Sequence, residues 1–148
     1  MIEQDLRQHF AVGFALPPTA VNWLIDLWHV SQTFDDVADK TKIKRDDLDR
    51  AIFAALVGMP SNPFFLANAS QLMPVLACAM LKWKASDDAE REGKADARSF
   101  VWRAAYYDVV LMVVLLCHGT EVGINSAKNV MALYGETFES YCKEFYHG

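Results

Sequence analysis

Residues 23–45 read WLIDLWHVSQTFDDVADKTKIKR, and the spacing of their apolar side chains decides the fold class. At about 100° per residue, Trp23, Leu27, Val30, Phe34, Val37 and Ala38 share one wide arc, as on a helix laid against a core. Pro17-Pro18 ends whatever precedes the run, because proline lacks a donor and disfavours helix before itself. Thr19 stands where it can cap the helix, which is predicted to end near Asp39. The basic segment KTKIKR then reads as a loop.

The rest of the chain follows the same periodicity. Residues 1–16 form an arm or short helix, with Phe10, Val12, Phe14 and Leu16 available to dock. Asp46 or Asp47 opens a second helix that Gly58 and Pro60 stop. Phe64 to Lys84 is predicted helical, with Pro74 kinking or splitting it. A mixed-charge surface stretch runs from Ser86 to Arg98, and an almost wholly apolar one from Phe100 to Cys117. His118-Gly119 marks a stop and Thr120-Glu121 a fresh start. The last helix or pair of helices carries Tyr134, Phe138, Tyr141 and Phe145 on one stripe, with Gly135 as a break. No stretch alternates with period two. The expectation is an all-α chain, a single-domain helical bundle of about five to seven helices.

Composition narrows the function classes. The 148 residues are 53% hydrophobic and 22% charged, a globular balance long enough to bury a core. A net charge of −5 argues against nucleic-acid binding through bulk electrostatics. The amino terminus carries acids where a signal peptide needs bases, so secretion is not expected. The apolar block Val109–Cys117 is half of what a membrane span requires, and Arg103 and Asp108 lie just before it; no span is expected. Three widely separated cysteines, Cys78, Cys117 and Cys142, read as reduced core thiols of a cytoplasmic protein. The arm and the aromatic stripe offer enough apolar surface to suggest a homodimer.

Asp35, Asp36 and Asp39 form a DDxxD cluster at the predicted end of the central helix. On a helix Asp35 and Asp39 sit one turn apart, with β-carbons about 5–6 Å from each other. Hard oxygen ligands so placed suit Mg²⁺, which takes one or two carboxylates and completes its shell with water and substrate phosphate. Acids at a helix C-terminus also oppose the macrodipole and call for a neutralising cation. Lys40, Lys42, Lys44 and Arg45 could supply that charge as ordinary surface pairs instead.

The segment DDVADKTKIKR resembles the first aspartate-rich motif of the trans-prenyl diphosphate synthases, members of the isoprenoid synthase superfamily. The resemblance implies that Asp35, Asp36 and Asp39 hold Mg²⁺. It also implies that the basic pair Lys44 and Arg45, five and six residues after the last aspartate, grips a diphosphate. It covers some twenty residues. That family's second aspartate-rich motif has no counterpart here, so the expectation carried forward is a Mg²⁺-phosphate site, not the synthase reaction.

Asp108 is the other unusual acid, since its helical neighbours Ala104, Ala105, Leu111 and Met112 cannot pair with it. A partner must come from another helix, or from another subunit through a residue such as Arg103; failing that, desolvation raises its pKa. It is the candidate catalytic residue. His29 and His118 lack a second ligand one turn away and read as structural. Glu136, Glu139 and Glu144 read as a solvated face. Two functions follow: a helical protein binding Mg²⁺ and a phosphate or diphosphate, with hydrolysis as its reaction, or a non-catalytic interaction module that forms a homodimer.

Overall fold

The computed structural model of the chain describes residues 2–145. It is all-helical, with eight α-helices and no strand among the described residues. The helices are α1 (Glu3–Gln8), α2 (Pro18–Ala38), α3 (Arg45–Phe53), α4 (Pro63–Arg91), α5 (Ala97–Trp102), α6 (Tyr106–His118), α7 (Thr120–Met131) and α8 (Phe138–Phe145). Single π-helical turns, His9–Gly13 and Ala54–Gly58, extend α1 and α3. The count exceeds the expected five to seven because the arm is itself helical and the apolar run from Phe100 is broken between α5 and α6. The residues fall into two compact units, the first ending at Ala69 and the second beginning at Ser70.

In the first unit α2 is the central element. Pro18 occupies its first turn, where a missing N–H is harmless, and Pro17 holds the extended N-cap position; Thr19 lies inside the helix and does not cap it. Ala20, Val21, Trp23, Leu24, Ile25, Leu27 and Val30 are buried, and Leu6, Phe10 and Leu16 from the arm are buried with them. Trp23 stacks on Phe65 at 5.6 Å. The expected core arc is right as far as Val30 and wrong beyond it. Phe34 is 47% exposed and Val37 52%, because the last turns of α2 outrun the elements packed on it.

Asp26 sits on α2 below the π turn, its Oδ2 3.3 Å from where a β-carbon on Gly58 would stand. Burial raises its pKa, against the attraction of Arg50 and Arg7. A carboxyl whose folded pKa is raised favours folding only at low pH. That contribution is lost as pH climbs from the ordinary value of 3.8 through the raised one. Asp26→Asn is therefore expected to raise the midpoint of urea unfolding at pH 7 relative to wild type. The gain should vanish only well below the ordinary value of 3.8, where both the folded and the unfolded carboxyl are neutral.

α4 starts at an asparagine cap: Asn62 Oδ1 accepts from Phe65 N–H at 3.1 Å, and Asn62 Nδ2 donates to the Thr19 carbonyl. Its irregularity falls at Asn68 (φ −127°, ψ 16°), whose side chain donates to the Phe64 carbonyl, and not at Pro74. The helix also runs on through Ser86-Asp87-Asp88 to Arg91, where the sequence suggested a surface stretch. Gly93, at φ 71°, ends it: Lys94 N–H reaches back to the Ala89 carbonyl at 2.8 Å.

In the second unit α6 supplies the core with Val109, Val110, Val113 and Val114. Gly119 (φ 87°) turns the chain and α7 folds back on α6; a β-carbon on Gly123 would come within 3.1 Å of Leu115. Tyr141 of α8 is fully buried. Around it Phe100, Tyr134, Phe138 and Phe145 form a continuous run of ring contacts between 4.8 and 6.4 Å. The aromatic stripe is thus intramolecular packing, and so are Phe10 and Leu16 of the arm. Val12 (67% exposed) and Phe138 (41%) are the parts of the arm and the stripe that stay free.

Candidate functional site

The aspartate cluster occupies the last turn of α2. Asp35 and Asp36 are half-buried, and Asp39 is the exposed C-cap. Lys40 takes the left-handed conformation (φ 58°), and Thr41 N–H closes the end on the Asp36 carbonyl at 2.9 Å. Asp36 and Asp39 make no ion pair among the described residues. Arg45 turns away to Asp49 at 2.8 Å, leaving Lys44, the N-cap of α3, as the free cation of the basic pair. Among the described residues no three His, Cys, Asp or Glu side chains come together as a set able to hold a metal ion.

Asp108 is paired. Lys82, on α4, donates to its Oδ2 at 2.8 Å, with both side chains between a third and two-fifths exposed. The partner does come from another helix. Arg103 stays within the unit, its Nη1 3.4 Å from Glu90 and 3.6 Å from Glu136, and its guanidinium over the Tyr141 and Phe145 rings. Glu136 therefore belongs to this cluster and not to a solvated face; Glu139 is exposed and pairs with Lys143, and Glu144 is exposed. His29 is buried and structural, since its Nε2–H donates to the Asp47 carbonyl at 3.0 Å.

Arg103 Nη1 is buried without a hydrogen bond. Tyr141 Oη donates to Glu90 at 2.9 Å and lies 2.6 Å from Ser99 Oγ. Burial is the main cause that pushes the Tyr141 hydroxyl up to about 12, so it remains a donor at neutral pH. This cluster closes on itself and anchors α8.

One face of α4 is a free apolar feature. Leu72, Ala79 and Ser86 are buried at seven-residue steps, a narrow inner seam. Away from that seam Leu81 (70%) is exposed on the far side, and Met73 (50%) and Met80 (48%) on the flank, with Ala77 exposed between them. A helix apolar on both sides normally has both sides covered. Cys78 was expected in the core; it is exposed, while Cys117 and Cys142 are half-buried, and all three are free thiols. α4 is also long and apolar enough to cross a membrane by length and composition, with 11% of its most apolar window buried. The sequence reading missed this face. Its signal in the sequence is the uncharged stretch from Pro63 to Leu81, longer but less apolar than Val109–Cys117.

No family model, no curated protein and no solved structure matches the chain.

Proposed function

We propose that the chain is a non-catalytic helical interaction module that pairs with a second copy of itself through the outer face of α4. The exposed Met73–Leu81 stripe, on a helix that buries only a narrow seam at Leu72, Ala79 and Ser86, carries this reading. The stripe is self-complementary. Met73 and Leu81 lie four residues either side of Ala77, and the polar Ser70 and Lys84 seven residues either side. An antiparallel copy related by a two-fold axis at Ala77 sets Met73 over Leu81 and Ala77 over Ala77, the isologous arrangement of most homodimers. The small residue at the centre lets the backbones approach. The contact is small for a stable interface, so dissociation in the micromolar range is expected.

Light scattering should find a dimer at about 100 µM, and Leu81→Glu a monomer of unchanged helicity. Ala77→Cys, in a Cys78→Ser background, should give a covalent dimer on mild oxidation. Native Cys78 should react with a thiol probe faster than Cys117, whose thiolate burial disfavours. A wild-type monomer, or a protein that partitions into lipid vesicles instead of pairing, would overturn the reading.

A Mg²⁺ and phosphate site at the end of α2 is the second reading, favoured by Asp36, Asp39 and Lys44, none of them in an ion pair among the described residues. On this reading millimolar Mg²⁺ raises the melting temperature by mass action, and Asp36→Asn with Asp39→Asn abolishes the rise. An equal response to NaCl of matched ionic strength would sink it.

A further inference from the structure

The second unit holds an open cleft of about 470 Å³ between the carboxy-terminal turns of α4 and the segment from Lys94 to Trp102. Its volume falls in the range of small-molecule sites. Ala85, Ala89, Ser86 and Ser99 are among its lining residues, small side chains that leave the space open. Trp102, 46% exposed at the end of α5, supplies an aromatic wall. Lys82 Nζ stands 5.7 Å from the centroid of that ring, so the indole already stacks a cation.

The charges around the cleft divide sharply. Asp88 is taken by Lys84 and by Arg91 at 2.6 Å. Asp96 is taken by Arg98 at 2.7 Å and by the first-turn amides of α5. Two lining charges remain, Glu92 and Lys94, both exposed and neither in an ion pair among the described residues. They flank Gly93, where the left-handed turn and the Lys94-to-Ala89 hydrogen bond fix the two backbone positions. The cleft thus presents one free anion, one free cation and one aromatic face.

We infer that this cleft binds a small zwitterion with an apolar or aromatic body, of the class of a free α-amino acid. Glu92 takes the ammonium, Lys94 the carboxylate, and the body lies against Trp102. A simple anion would meet Glu92, and a simple cation Lys94. A neutral zwitterion satisfies both at once. The inference is independent of pairing through α4.

Saturation-transfer NMR with L-phenylalanine on the full chain tests it. Ring signals should transfer, and both N-acetyl-L-phenylalanine and L-phenylalaninamide should bind about tenfold more weakly, each having lost one charge. Glu92→Gln should remove the preference for the free ammonium, and Lys94→Gln that for the free carboxylate. Both positions are exposed, so the variants keep the fold. Trp102→Ala should abolish transfer. No binding up to about 10 mM, capped analogues equal to the parent, or Trp102→Ala equal to wild type would each overturn the inference.

Discussion

Tyr141→Ala is expected to destabilise the second unit by about 3–5 kcal/mol, the range for deleting a large buried ring. Tyr141 is fully buried, touches Phe100, Phe138 and Phe145, and lies under the Arg103 guanidinium. Its loss opens a cavity where five aromatic side chains meet. The hydroxyl contributes separately. Tyr141→Phe keeps the packing but withdraws the donor from Glu90, whose side chain is 11% exposed, and should cost about 1–3 kcal/mol. Urea unfolding followed by far-UV circular dichroism measures both. Equal costs for the two variants would mean that the hydrogen bonds, and not the ring, hold α8.

The matching result in the first unit concerns Trp23. Trp23→Ala should cost about 3–5 kcal/mol, since the ring is buried and stacked on Phe65. Trp23→Phe should cost much less, under about 1.5 kcal/mol. The indole N–H is buried with no hydrogen-bond partner, and removing it relieves a desolvation penalty that offsets part of the lost packing. A loss for Trp23→Phe as large as for alanine would show that the indole N–H does find a partner in solution.

The helical class was legible because α2 and α8 carry a helical period, α6 is a long apolar run, and no segment competes with period two. The stops at Gly58 and Gly119 and the break at Gly135 were legible as well, although of these three only Gly119 takes a positive φ. What sequence could not show was how far each helix is covered. The arc from Trp23 runs unbroken to Val37, yet packing ends at Thr33; periodicity records what a helix could bury, not what lies beside it. The same gap hid α4, whose two apolar sides cancel as a periodic signal. The DDxxD cluster stood out by residue type, but the engagement of Arg45 by Asp49 depends on where α3 begins. The sequence around Asp108 leaves open a partner from another helix or from another subunit, and only the placement of α4 singles out Lys82.

Ser99 ties two of these helices together. Its backbone N–H is held by Asp96 Oδ1 at 3.2 Å and its hydroxyl completes the cap of α5, while the same oxygen meets Tyr141 from α8. A single hydroxyl thus serves a local turn and a contact 42 residues away. In hydrogen-exchange terms, the first turn of α5 and α8 are expected to open together, so their amides should show a common protection, below that of the valine-lined core of α6.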